Sequence, residues 1–413
     1  MRSMWRCANC GEYFHSGCRR KQTRGGEAHC GCAPGDRHSR CFTYADVFAG
    51  SGMFAYQLHV LLQLGRCRPF HKALAIECEP QLRLYSCALE CLLRGAQAAH
   101  HVKFMADLFT HNIPGRLDLA TVGVPCCLFS KNRTGSRDQG QSEELMRDLL
   151  DSLALALERK LWSVVVIECV SGFFTHPMWL EGLRPAALRA AYTVLESPLV
   201  INTSHLGEEQ ARVRSFMVLH MHPPARPIEC IHSEIMCHMR ALPSSVTRCL
   251  LTTEEHLELG LTPECIQAFS LQQGSPQHRK LLSLFEDHPV LTLHEAEGHW
   301  PPLVVDLSNS RAWTVVRLDA VCPTLTRSHG YRSIYVLHQD YRRFLTPFEH
   351  MRVMGFAWPQ LKAAAQTLTP HEIGKLAGNA VSAKSVECVL RTVFQAFPAL
   401  FLGARVGHGS GDP

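Results

Sequence analysis

A doubly wound α/β domain carrying a second, smaller and irregular unit is what this sequence of 413 residues predicts. Three observations predict it. From about residue 41 short apolar runs alternate with helical runs, the rhythm of a mostly parallel sheet covered by helices on both faces. A glycine turn, Gly50-Ser-Gly52, stands between the first apolar run and the first helix. Between about residues 220 and 340 that regularity fails, and Pro, His, Cys and turn residues mix.

Taken in order, residues 1–40 form a Cys-rich basic segment. Residues 44–50, YADVFAG, read as a buried strand entering the glycine turn, and residues 53–65, MFAYQLHVLLQLG, as the helix after it. ALAIECE (73–79) is a second strand and RLYSCALECLL (83–93) a second helix. FMADLF (104–109), LDLATVGVP (117–125) and WSVVVIECV (162–170) are further strands, the last preceded by a helical run from Glu143 to Leu161. The main domain is expected over 41–220, the smaller unit over 221–340, a return to the main domain over 341–400, and a flexible tail over 401–413.

Composition narrows the function classes. A chain that is 46% hydrophobic and 19% charged is globular. It has no apolar run of about 18 residues, and its first residues lack the apolar stretch of a secretory signal. Its 19 cysteines are odd in number and scattered, which favours reduced thiols in the cytosol or nucleus over a disulfide framework. Residues 1–40 hold eight basic and three acidic residues and so account for the whole net charge of +5. Any phosphate-binding surface on the main body must therefore come from local placement of charge.

The turn Asp46-Val-Phe48-Ala-Gly50-Ser-Gly52 lets backbone approach a ligand and offers helix N–H groups to an anion. Glu77, closing the next strand, is placed to bind ribose hydroxyls. Gly50-x-Gly52-x-x-Ala55 also fits the dinucleotide fingerprint, so this half admits a nicotinamide enzyme as well as a methyltransferase; an ordinary tight turn is the bland reading. Further on, Gly123-Val-Pro125-Cys126-Cys127 ends the fourth strand, where doubly wound folds bind ligands. Cys126 is a candidate nucleophile there, and Cys127 a small buried hydrophobe. Glu168 closes the strand VVVIE, and Gln210-Ala-Arg212-Val-Arg214 heads the strand VRSFMVL.

In this order the pieces resemble the cytosine-C5 methyltransferase family, over about residues 43–220 and 315–395. DVFAGSGMF looks like the family's loop for S-adenosyl-L-methionine (SAM), GVPCCLFS like its Pro-Cys motif, and Glu168-Cys169-Val170 like its Glu-Asn-Val motif. QARVR is similar to its Gln-x-Arg-x-Arg motif, RRFLTPFEHMRVMGF to its Arg-x-Leu-Thr-Pro-Arg-Glu block, and AGNAVSAKSV to its closing Gly-Asn-(Ser/Ala)-Val helix. The resemblance implies a Rossmann-like SAM-dependent methyltransferase domain with a target-recognition domain in the irregular stretch. Only Cys322-Pro-Thr324-Leu325-Thr326 in that stretch looks familiar, as the family's Pro-Thr-Leu turn.

What it implies for the residues is specific. Cys126 adds to C6 of cytosine, because C5 alone is too weak a nucleophile to accept a methyl group. Glu168, protonated, holds the N3/N4 edge; Arg212 grips O2; Arg214 orders the site. The base must be flipped out of a duplex to be reached. Phe48 stacks on adenine, Gly50 and Gly52 lie beneath the methionine moiety, and Glu77 takes the ribose. Asp107 takes the adenine amine, while Asp46, Leu108, Pro125, Asn379 and Val381 complete the pocket. Lys131, Arg133 and Arg137 look like a loop closing over the base. Departures are Met53 in the second glycine pair, Cys169 for Asn, Phe348 for Arg, and Cys78 where an apolar shelf is frequent.

The N-terminal Cys7-x2-Cys10-x4-His15-x2-Cys18 resembles the centre of a plant-homeodomain finger, with Cys30-x-Cys32 as its closing pair. Zinc is expected either at Cys7, Cys10, Cys30 and Cys32, or at Cys7, Cys10, His15 and Cys18. Cys230, His232, Cys237 and His238 have no metal spacing. The partner expected is DNA, in the nucleus if the chain is eukaryotic and the cytoplasm otherwise, with no membrane. The tRNA-directed branch of the family is the alternative, and a catalytically weak regulatory member the third reading.

Overall fold

The computed structural model describes strand segments 4–6, 13–15, 21–22 and 28–29, then residues 41–48, 50–94, 100–102, 116–126, 129, 139–287, 302–308, 314–326, 332–338 and 341–402. Strands β1 (Met4–Arg6) and β2 (Tyr13–His15) pair antiparallel, as do β3 (Lys21–Gln22) and β4 (Ala28–His29).

The main sheet is built from β5 (Phe42–Val47), α1 (Met53–Gln63), β6 (Phe70–Ile76), α2 (Pro80–Arg94), β7 (His100–Val102), β8 (Leu117–Gly123), α3 (Gln139–Glu158) and β9 (Trp162–Cys169). After α4 (Arg184–Arg189) come β10 (Thr193–Val194), β11 (Leu199–Asn202) and β12 (Val213–His220). The order across the sheet is β7-β6-β5-β8-β9-β12-β10, with β11 also on β12. From β7 to β9 every pairing is parallel; β12 runs antiparallel to β9 and carries the short edge strands. A sheet buried on both faces needs strands that are apolar throughout, and all eight residues of β9 are buried. In α1, Phe54, Leu58 and Leu61 recur at helical spacing to face the core. That helix stops where Gly65 takes a left-handed φ of 65° and its N–H bonds back to Leu62.

The strand pairing with β6 is His100–Val102, and FMADLF at 104–109 lies outside the described residues.

Beyond β12, α5 (Ile228–Met239) lays Ile228, Ile231 and Ile235 into the main core, and Val246, Cys249, Leu251, Leu259 and Leu261 join it there. A second core gathers only from Phe269 onward, with Leu281 and Leu284 of the helix Pro276–Asp287 against a four-stranded antiparallel sheet. That sheet, β14-β13-β15-β16, comprises β13 (Leu303–Asp306), β14 (Val316–Arg317), β15 (Ile334–His338) and β16 (Tyr341–Phe344). Alternation along its strands divides the cores: Leu303, Val305, Tyr335 and Leu337 face the small one, Val304, Ile334 and Val336 the large one. Residues 345–401 return to the main core as five helices, among them Pro347–Val353, Pro370–Asn379 and Ala383–Ala396.

Candidate active site

The chain leaves β5, adds β6 and β7 on one side, and then returns to lay β8 on the other. This reversal opens a crevice at the carboxyl ends of β5 and β8, the place where open parallel sheets bind ligands. Phe48, Gly50 and Gly52 turn the chain there with φ of 57°, 42° and 61°. Two glycines accept that left-handed path without strain, and Phe48 is a non-glycine residue held in it. The Gly50 N–H donates to Glu77 Oε2 at 2.8 Å, and the Glu79 N–H donates to Oε1 at 3.0 Å. The β5 turn and the β6 carboxylate are thus one unit. Burial pushes the Glu77 carboxyl up, against the pull of those two N–H groups.

Gly123 ends β8 with Glu168 of β9 as its register partner. A Cβ there would lie 3.5 Å from the Phe48 carbonyl and 4.0 Å from Glu168 Oε2, so β5, β8 and β9 open onto one space. Cys126 is half-buried and starts a short turn, closed by the Phe129 N–H on the Cys126 carbonyl at 3.0 Å. The Phe129 ring anchors the turn against Phe173 and His176, at centroid distances of 4.9 and 5.0 Å. Gly172 passes so close under it that a Cβ would stand 2.7 Å from the Phe129 carbonyl oxygen.

Glu168 is 6% exposed, and its Oε1 meets Arg214 Nε at 3.0 Å. Burial raises the Glu168 pKa, and the Arg214 and Arg212 charges oppose that rise without cancelling it. Cys169 is fully buried and donates its thiol to the Val124 carbonyl at 3.6 Å, so the residue after Glu168 braces the Pro-Cys loop from below. Burial, with Glu168 and Cys126 nearby, holds that thiol well above its usual pKa, in the donor form.

The two arginines have different partners. Arg212 is 1% exposed; its Nη1 donates to the Leu325 carbonyl and its Nη2 to the Gly378 carbonyl at 3.0 Å. Burial and Arg214 depress its pKa, while Glu168 and the Cys126 side chain raise it. Both terminal nitrogens are spent on main chain, so the guanidinium facing the Glu168 carboxylate is that of Arg214. Gln210 is likewise structural, donating to the Val353 carbonyl at 3.3 Å. Cys322 and Gln210 form an isolated bridge, which docks the Pro-Thr-Leu turn on the head of β12. Glu208 was not among the expected residues. It is 3% exposed and accepts the Lys384 N–H at 2.8 Å at the start of the helix Ala383–Ala396.

Asp46 is buried in β5 and accepts from the Thr121 hydroxyl at 3.2 Å. Pro125 and Asn379 are exposed, while Val381 is 8% exposed and belongs to the main core. Met53 also belongs to that core, as does Phe348. Cys78 is exposed, its thiol 3.7 Å from Glu77 Oε1. Asp107, Leu108, Cys127, Lys131, Arg133 and Arg137 lie outside the described residues, as do Cys7, Cys10, Cys18, Cys30, Cys32 and the side chain of His15. Among the described residues no group of three or more His, Cys, Asp or Glu is arranged to hold a metal, Cys230, His232, Cys237 and His238 included. Among them, too, no helix is long and apolar enough to cross a membrane.

No family model matches the chain, and no curated protein matches it. Solved structures do. The Dnmt2 methyltransferase of S. pombe superposes with a TM-score of 0.54 at 14% identity, over 86% of this chain and 99% of that one. The methyltransferase EhMeth of Entamoeba histolytica gives 0.50 at 12%, over 86% and 98%. A prophage-encoded E. coli chain described as a DNA modification methyltransferase gives 0.50 at 15%, over 86% and 99%. What the chain shares with these proteins is its architecture, a Rossmann-like methyltransferase fold with a central, mostly parallel sheet.

Proposed function

We propose that the chain is a SAM-dependent DNA cytosine-C5 methyltransferase. The observation that carries this reading is the Glu168–Arg214 pair at the end of β9, next to the Cys126 turn at the end of β8. A thiol, a buried carboxyl and a guanidinium at the carboxyl ends of adjacent strands support this reading. The likeness to solved methyltransferases supports the fold half of the reading.

The residues present fit SAM. Glu77 is a buried carboxylate whose oxygens each take one N–H and keep lone pairs for ribose hydroxyls. The positive φ at Gly50 and Gly52, and the absence of a side chain at Gly123, leave backbone-lined room beside Phe48. Bound there, SAM would supply an electrophilic methyl group.

The chain's own chemistry follows. Cys126 Sγ, its proton passing to solvent, would attack C6 of a flipped-out cytosine and make C5 enamine-like; once C5 carries the methyl group, loss of the C5 proton to solvent breaks the bond to Cys126 and restores the ring. Glu168, whose pKa burial raises, would in its acid form donate to N3 and accept from the N4 amino group as charge develops on the ring. Arg214 would hold the Glu168 carboxyl in register and reach the base's O2, the role first expected of Arg212.

Methyl transfer from tritiated SAM to DNA and to tRNA, run in parallel with bisulfite mapping of the product, tests the proposal. DNA should be labelled at cytosine C5. Cys126→Ser should lose transfer while staying folded, and Cys127→Ser should keep most of it. Label in tRNA alone would move the assignment to RNA, and equal loss in both variants would mean the wrong cysteine.

A further inference from the structure

Helix α5 packs against the helix Ala383–Ala396, and three soft donor side chains converge between them. His232 and Met236 stand four residues apart on one face of α5. Across from them, Cys388 Sγ lies 3.4 Å from Met236 Sδ and 4.0 Å from His232 Nδ1. Cys388 is wholly buried, His232 is 8% exposed, and Met236 is half-buried. The cluster is one flexible thioether away from solvent. None of it touches the crevice above, and the proposed methyl transfer uses none of these groups.

We propose that His232, Met236 and Cys388 bind one soft monovalent cation, of the Cu(I) class. Three arguments carry it. Thiolate, thioether and imidazole are the donors that soft cations select, whereas harder ions take carboxylate and water. The spacing is close to what one ion needs. With bonds of about 2.3 Å to sulfur and about 2.0 Å to nitrogen, tetrahedral or trigonal angles put the sulfurs about 3.8–4.0 Å apart, and sulfur and nitrogen about 3.5–3.7 Å apart. The observed separations differ from these by a few tenths of an ångström, within the reach of an unbranched methionine.

Charge supplies the third argument. On binding, the Cys388 thiol gives its proton to solvent, and one thiolate neutralises a monovalent ion. A divalent ion in the same buried place would keep a net positive charge, since the neighbouring Glu387 carboxylate is engaged by Arg66, Lys384 and Arg391. The rearrangement required is small. The Thr392 hydroxyl donates to the Cys388 carbonyl at 2.9 Å and accepts from His232 at 3.3 Å. That second, long hydrogen bond is given up when the imidazole proton moves to Nε2, and the contacts of the Cys388 thiol with Met236 Sδ and His232 Nδ1 are replaced by bonds to the ion.

Other cysteines of the chain will also take soft ions, so the readout must be local. The full chain, labelled with 13C at methionine methyls, is titrated anaerobically with Cu(I), and separately with Ag(I) as a redox-inert probe. Met236→Leu, which conserves volume, identifies the Met236 resonance. With either ion that resonance should shift to a new position and saturate, and in Cys388→Ala it should stay in place. Zn(II) should leave it unmoved. A Met236 methyl that does not move while the remaining thiols saturate would overturn the proposal, and this reading needs no folded variant at Cys388. An equal shift in Cys388→Ala, or a shift with Zn(II) alone, would overturn it too.

Discussion

Replacing Glu208 by glutamine should flatten the pH dependence of folding stability. The carboxyl is pushed up from the usual 4.5 to about 8, first by burial; the Lys384 N–H and the Ser382 hydroxyl pull the other way, and Glu209 adds to the rise. A carboxyl that holds its proton more tightly when folded stabilises the fold at low pH. That contribution fades as pH climbs from 4.5 towards 8 and is gone above it. At 1.36 kcal/mol per unit, the loss is about 2 kcal/mol by pH 6 and nearly 5 kcal/mol by pH 9, a fall of about 3 kcal/mol between the two. Glutamine keeps a carbonyl for the Lys384 N–H and has no proton to lose. Urea unfolding followed by tryptophan fluorescence at pH 6, 7, 8 and 9 measures the gap between wild type and Glu208→Gln. The gap should move by about 3 kcal/mol in the variant's favour across that range. A gap constant to within about 0.5 kcal/mol would mean that Glu208 is ionised in the fold throughout, and the reasoning from its burial would be wrong.

Calorimetry on Glu77→Ala should find SAM binding weaker by roughly 1–3 kcal/mol, the cost of unpaired buried hydrogen-bonding groups, and unchanged affinity would remove Glu77 from the pocket. The transfer rate should fall as pH rises through the raised Glu168 pKa, since the acid form acts, and Glu168→Gln should lose that limb of the profile; a profile of the same shape in the variant would refute the assignment. Arg214→Ala should cut the rate and, by leaving buried Glu168 without its partner, also cost stability, while Arg212→Ala should cost about 3–5 kcal/mol in urea unfolding because its buried charge loses its hydrogen bonds; an Arg214→Ala variant of undiminished rate would remove that residue from the site. Deleting residues 1–40 should flatten the salt dependence of DNA binding while leaving a folded, SAM-binding body; an unchanged salt slope would place the phosphate contacts elsewhere.

How far the sequence was legible follows from where each signal lay. β5, β8 and β9 are continuous apolar runs because the sheet is covered on both sides, and such runs are visible locally. β13 and β15 were not visible, because they are runs of only four and five residues set among the mixed Pro, His and Cys residues of the irregular stretch. The different partners of Arg212 and Arg214 were equally hidden from the sequence. Arg212 lies just before β12 and Arg214 within it, and the distant carbonyls that hold Arg212 are not visible locally. Glu208 sits in a polar run, GEEQ, which reads as solvated; its burial depends on a helix 176 residues away.

The commitment of Arg212 also constrains the order in which the polypeptide can mature. Its carbonyl partners lie 113 and 166 residues downstream. At roughly 5–20 residues per second, a ribosome needs about 8–30 s after making this arginine before it reaches the second partner. Until then the guanidinium must remain hydrated, because sealing it without partners costs several kcal/mol. The sheet around β12 therefore cannot close during early synthesis, however strong its local preferences. A fragment ending near residue 220 would hold Cys126, Glu168 and both arginines, yet it should emerge as an open, aggregation-prone species rather than a minimal enzyme. Supplying residues 315–402 as a separate chain should rescue it.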